Sequence, residues 1–117
     1  MNGNKAVLDS NLIIFFSKGK IDLAKLRSRY DKFYVSVITY MEVYAYEFII
    51  QTEKDLIDEF FDSVEVTDID KEIADQAIIY RKNKPKKIKF PVAIILATAK
   101  RANADLLTDD WNRFSKY

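Results

Sequence analysis

Whatever chemistry this chain performs must be carried by carboxylates. It contains no histidine and no cysteine, which removes imidazole bases, Ser-His-Asp triads, thiol nucleophiles and zinc held by imidazole or thiolate. Four acids, Asp9, Glu42, Asp109 and Asp110, stand where a site could form. Carboxylates brought together repel one another unless a cation or a proton joins them, so their convergence makes a candidate hard-metal site. Mg²⁺ or Mn²⁺ held by a few carboxylates and waters activates water and steadies the charge that builds up in phosphodiester cleavage. The competing reading of Asp9 is local: Asp is common at turns and helix caps for its hydrogen bonding alone.

Convergence requires elements that deliver these acids to one place. Lys5-Ala6-Val7-Leu8 has no glycine or proline and reads as a short buried parallel strand ended by Asp9. In an open α/β sheet the carboxyl ends of strands face the ligand crevice, which is where Asp9 would stand. Ser10 or Asn11 is expected to cap the following helix, over residues 11–18, and Gly19 to stop it. Residues 22–30 make a further amphipathic piece, and Phe33-Tyr34-Val35-Ser36 is a second strand. Val37, Ile38, Met41, Ala45, Phe48 and Ile49 recur at helical spacing and predict one helix with a buried stripe, carrying Glu42 near its start.

Thr52 is expected to cap a helix through Phe61 with Asp55 in its first turn, followed by a strand over residues 63–67. Asp68 or Asp70 then opens a helix holding Ile73, Ala74, Ala77 and Ile78. Residues 81–89 carry Arg81, Lys82, Lys84, Lys86, Lys87 and Lys89 without an acid and read as a loop. Pro91 suits the first turn of a nearly all-apolar helix over residues 92–101, and residues 105–108 form a last strand ending at Asp109-Asp110. Strands alternating with helices predict a single α/β domain over residues 1–117, with a central parallel sheet of about four strands flanked by helices.

A chain of 117 residues with 49% hydrophobic composition is enough for one domain with a real core. The net charge of +1 points to no polyanionic partner, so a nucleic-acid surface has to come from local clustering. Without a signal-peptide pattern or an apolar run of membrane-spanning length, the expectation is a soluble cytoplasmic protein with no membrane partner.

The ordered set of motifs resembles the PIN domain, in particular the small VapC-type toxins of toxin-antitoxin pairs. Val7-Leu8-Asp9-Ser10-Asn11 is similar to that family's opening strand and first acid, and Val35-Ser36-Val37-Ile38-Thr39-Tyr40-Met41-Glu42 to its second strand, helix start and glutamate. Ala93-Ile94-Ile95-Leu96-Ala97-Thr98-Ala99 resembles the helix after the third acid. Leu106-Leu107-Thr108-Asp109-Asp110, with Phe114, resembles the closing strand and fourth acidic position. The resemblance implies a Mg²⁺- or Mn²⁺-dependent ribonuclease that dimerises and is neutralised by a cognate antitoxin. Its catalytic and metal-binding residues here would be Asp9, Glu42 and Asp110, with Asp109 beside them.

Two departures qualify this. The third acid of the family stands directly before the Ala-Ile-Ile helix, where this chain has Val92, and neither Lys89, Phe90 nor Pro91 is acidic. Val92→Asp is expected to complete the donor set without disturbing the buried helix face. Family members also usually continue into a final edge strand, whereas this sequence stops at Tyr117 and has Arg113 where many carry another acid. The basic stretch reads either as an RNA backbone contact or as an ordinary solvated loop. Tyr40, Tyr44 and Tyr46 read either as core or interface packing or as base-stacking groups. Apolar faces around Ile38, Tyr44 and Phe48 predict a homodimer.

The function expected is therefore an endoribonuclease toxin impaired at position 92, and the alternative is a non-catalytic module that binds RNA or antitoxin. A phospho-accepting receiver fits less well, because Thr108, Asp109 and Asp110 follow Leu107 where a lysine would be required.

Overall fold

Four short strands, β1 (Lys5–Leu8), β2 (Lys32–Ser36), β3 (Glu65–Thr67) and β4 (Asp105–Leu107), form an all-parallel sheet in the order β3-β2-β1-β4. This is a computed structural model, and it describes residues 4–83 and 88–108. Ala6 is level with Phe33 on one side and Asp105 on the other, and Leu8 with Leu107. The chain steps outward from β1 to β2 to β3, then returns across the sheet to place β4 on the other side of β1. The strand order reverses between β1 and β4, and such a switch point opens a crevice at the carboxyl ends of the two strands.

Alternation along the strands divides the core in two. Ala6, Leu8, Phe33 and Val35 face one layer, built on α1 (Ser10–Ser17), α2 (Leu23–Arg29) and α4 (Gln51–Asp62), with Leu12, Ile13, Ile57 and Phe60 buried against them. Val7 faces the other layer, the hairpin of α5 (Lys71–Asn83) and α6 (Phe90–Ala102), among Ile73, Ala77, Ala93 and Ile95. The helix α3 (Val37–Ala45) joins the layers: Val43 belongs to the first cluster, and Ile38 packs on the second.

The expected parallel sheet, its four strands and its helical crossovers are all present. Several local expectations are corrected. Asp9, not Ser10 or Asn11, caps α1. The helix after β2 ends at Ala45 instead of running to Ile49, so Met41 is exposed and Ile49 is 96% exposed, and the buried positions are Thr39 and Val43. Two aromatics and the isoleucine pair in residues 46–50 imitate helical spacing, but Tyr46 turns to extended backbone and packs on Phe48. Thr52 lies within α4, which starts at Gln51 without a side-chain cap and has Glu53, not Asp55, in its first turn. Asp70, not Asp68, receives the Ile73 N–H and so opens α5, on which Ile78 is exposed. Finally, α5 runs through Asn83, so Arg81 and Lys82 are helical rather than part of a loop. Lys84, Lys86 and Lys87 lie outside the described residues.

Among the described residues no helix is long and apolar enough to cross a membrane.

Candidate functional site

The backbone of Asp9 continues the β1–β4 pairing by one step, its N–H donating to the Leu107 carbonyl at 3.2 Å. Extended backbone at Asp9 (φ −92°, ψ 172°) then turns the chain into α1, and the carboxylate is left at the carboxyl end of β1, at the switch point, fully buried. One oxygen, Oδ1, accepts the Leu12 N–H at 3.1 Å, which is an N-cap bond satisfying one of the orphan donors of the helix. The other, Oδ2, accepts the Thr108 hydroxyl at 2.5 Å. Thr108 follows β4 directly and is itself buried, so this bond ties the carboxyl ends of β1 and β4 together through side chains where their ladder ends. Sequence reasoning treated Thr108 only as part of a strand. The parallel pairing of Leu8 with Leu107 is what sets the residue after one strand beside the residue after the other.

Glu42 lies on α3, the helix that follows β2. Ser36, fully buried at the end of β2, caps that helix by accepting the Ile38 N–H at 3.3 Å. Thr39 and Glu42 follow three residues apart and so share a helix face. Thr39 is fully buried, and Glu42 is half-buried with Oε1 shielded from solvent. α3 packs on both α1, the helix Asp9 caps, and α6, which holds Val92 in its first turn.

A loop of two residues, 103–104, joins α6 to the amino end of β4, and Asn103 makes the turn in left-handed backbone (φ 54°). The helix therefore runs opposite to the strands. Its thirteen residues span about 20 Å, so its first turn lies at the carboxyl edge of the sheet, on the same side as Asp9. That turn holds Phe90, Pro91 and Val92, with no acidic residue, Lys89 at the N-cap, and no side-chain cap bond. A helix N-terminus favours negative charge, and here it is flanked by a lysine instead. Val92 is 4% exposed and packs with Val7, Ile73, Ala77, Ile88 and Ala93. It belongs to the buried face that Val92→Asp was expected to leave unchanged, so that substitution exchanges core packing for charge.

Asp109 and Asp110 lie outside the described residues, as do Arg113, Phe114 and Tyr117. Among the described residues no group of three or more acids gathers closely enough to hold a metal ion. Asp9 and Glu42 have the oxygen donors that Mg²⁺ and Mn²⁺ prefer, and position 92 contributes none. Of the basic residues, Lys82 and Lys89 are exposed and Arg81 lies over the Phe90 ring, its guanidinium carbon 4.2 Å from the ring centre.

Of the tyrosines near Glu42 in the sequence, Tyr40 and Tyr44 pack on each other and Tyr46 on Phe48. Tyr40, Tyr44 and Phe61 form an aromatic cluster, and the Tyr44 hydroxyl donates to Asp58 at 2.7 Å. Partial burial, then this carboxylate, push the Tyr44 phenol far above its ordinary pKa.

A family model described as PIN domain matches residues 6–117. No curated protein matches the chain. Among solved structures it is similar to a toxin-antitoxin complex from Klebsiella pneumoniae, at 25% identity and a TM-score of 0.74, over 94% of this chain and 90% of that one. It also shares its fold with a DNA-bound VapBC from Salmonella typhimurium (22% identity, TM-score 0.72, over 95% of this chain and 90% of that one). A third is VapBC2 from Rickettsia felis bound to a DNA fragment from its promoter (18%, 0.75, 96% and 92%). The acid at the switch point, the ordered crossovers and a family match over almost the whole length agree: this chain belongs to the PIN domain family.

Proposed function

We propose that the chain is the toxin of a type II toxin-antitoxin pair, an endoribonuclease whose Mg²⁺- or Mn²⁺-dependent activity is attenuated at position 92. The observation that carries this reading is Val92, a buried apolar side chain in the first turn of α6, at a helix end that holds no acid. Asp9, Glu42 and Asp110 are the proposed catalytic and metal-binding residues, with Asp109 beside them. A bound Mg²⁺ or Mn²⁺ would supply Lewis acidity and an activated water. With valine at position 92, Asp9, Glu42 and Asp110 leave the donor set one carboxylate short, so hydrolysis by the unmodified chain is expected to be slow. Cognate antitoxin and RNA are the proposed partners, the first because a toxin-antitoxin complex is among the similar structures and the second because of the basic residues around Arg81, Lys82, Lys84, Lys86, Lys87 and Lys89.

The test is RNA cleavage with Mn²⁺. The parent should cleave little, Val92→Asp should cleave readily, and adding Asp9→Asn should abolish the gain. EDTA-sensitive cleavage by the parent at the rate of Val92→Asp would show that the remaining acids suffice.

A second reading, a non-catalytic module that binds antitoxin or RNA, is favoured by the state of Asp9: fully buried, with one oxygen on the Leu12 N–H and the other on the Thr108 hydroxyl. No gain from Val92→Asp would decide for it. A homodimer is proposed as well. Ile38, Tyr44 and Phe48 pack inward, and the exposed apolar surface on α3 and the segment after it belongs to Tyr40, Met41, Tyr46, Ile49 and Ile50. Light scattering that finds only monomer at high concentration would refute it.

A further inference from the structure

The α5–α6 hairpin is clasped at both ends, and the two clasps differ in chemistry. Near the amino edge of the sheet, Arg101 of α6 pairs with the Asp70 carboxylate that opens α5. At the carboxyl edge, Arg81 of α5 lies against the ring of Phe90, the first residue of α6. A clasp serving only to close the hairpin could use a carboxylate, as the other end does. Here the partner is an aromatic ring that stays 48% exposed, although a phenylalanine at a first helical position has no core to fill. Residues 81–92 contain no acid, and among the described residues Arg81, Lys82 and Lys89 have no carboxylate partner. A planar cation on an open ring, flanked by exposed lysines, combines the two terms by which proteins hold unpaired strands: stacking on bases and neutralisation of phosphates.

We propose that Phe90 and Arg81 form a base-stacking platform for single-stranded RNA at the carboxyl edge of the sheet, with Lys82 and Lys89 neutralising the adjoining phosphates. This rests on the ribonuclease-toxin reading and names the part of that site that grips the substrate. The platform lies two residues from Val92 along α6, so a strand stacked on it has its backbone beside the first turn of the helix. Duplex RNA buries its base faces and gains nothing from the ring, so the platform selects unpaired strands.

Binding is read by fluorescence anisotropy with labelled RNA dodecamers of adenosine and of uridine, in EDTA at low salt so that no cleavage intervenes. Because purines offer the larger stacking face, the parent should prefer the adenosine strand over the uridine strand, and both over a duplex of the same length. Phe90→Leu keeps an apolar side chain and removes the π-face. It should weaken adenosine-strand binding about tenfold and collapse the preference for adenosine, whereas Phe90→Tyr should preserve both. Replacing Lys82 and Lys89 by alanine should lower affinity for both strands equally and make it less salt-dependent. Circular dichroism confirms that each variant is folded. A Phe90→Leu protein with the affinity and base preference of the parent overturns the proposal, and so does a parent that binds the duplex as tightly as the single strands. Because the assay reads binding without metal, failure of Val92→Asp to restore cleavage would remove the nuclease reading and leave the platform standing. Failure of the platform leaves the cleavage test unaffected.

Discussion

Replacing Val92 by aspartate should make the protein less stable and, at the same time, metal-responsive. Val92 is 4% exposed in the cluster beneath α6, so removing it forfeits most of the burial free energy of a valine, at least about 1.5 kcal/mol. Placing a polar group in the same slot costs roughly 1–3 kcal/mol more unless it finds partners. The N-terminus of α6, which lacks both a side-chain cap and an acid in its first turn, returns about 0.3–1 kcal/mol to a carboxylate there. The net loss is about 2–4 kcal/mol, which in a domain of this size lowers Tm by about 4 °C per kcal/mol, or roughly 8–16 °C. If the new carboxylate completes a hard-ion site with Asp9 and its neighbours, Mn²⁺ at about a hundred times its Kd returns about 2.7 kcal/mol, recovering most of the loss.

Calorimetry of the parent, Val92→Asp, Val92→Thr and Val92→Asp/Asp9→Asn, each with and without Mn²⁺, separates the terms. Val92→Thr should lose stability without gaining a metal response, because its hydroxyl adds no charge. Addition of Asp9→Asn should cancel the response of Val92→Asp. Equal Mn²⁺ shifts in the parent and in Val92→Asp would refute the idea that position 92 is the missing ligand, and a Val92→Asp protein as stable as the parent would refute its assignment to the core.

Thr108→Val removes the hydroxyl that bonds a fully buried Asp9 side-chain oxygen and should cost about 1–2 kcal/mol, as the loss of a buried hydrogen bond does. Thr108→Ser keeps the donor, so urea denaturation that ranks valine and serine equal would count against this bond as the tie between β1 and β4. The Ile73 N–H first, and the Arg101 guanidinium second, hold the Asp70 carboxyl below its ordinary pKa. Its contribution to stability is therefore complete above the usual carboxylate range and lost as pH falls below about 4. Asp70→Asn should flatten the acid limb of the stability profile, and an unchanged limb would show that Asp70 does not contribute to it.

The four strands were legible in the sequence because each is a short run rich in β-branched or apolar residues, and their alternation with helices pointed to a parallel sheet; the strand order β3-β2-β1-β4 came only with the structure. What sequence periodicity misjudged is instructive. Ile49 stands at helical spacing from Met41 and Ala45, but a period says nothing about where a helix stops, and α3 stops at Ala45 with the chain turning to extended backbone at Tyr46. Arg81 and Lys82 looked like loop because they open a run of charge. Yet basic residues in the last turn of a helix complement its dipole, and α5 holds both there.

At the candidate site the sequence located Asp9 but offered two uses for it, a local cap or a ligand facing the crevice, as if one excluded the other. The Asp9 carboxylate has two oxygens, and the backbone of the switch point sends them different ways: Oδ1 back along its own chain to the Leu12 N–H, Oδ2 across the β1–β4 junction to Thr108. Capping fixes the rotamer, and a fixed, buried rotamer is what a group at a crevice needs if it is to present an oxygen at a constant place. The partner that completes this arrangement is ninety-nine residues away in the chain. No local pattern could reveal it, and only the parallel register of Leu8 with Leu107 brings it there. The cap is thus the means by which the sheet holds the acid in position.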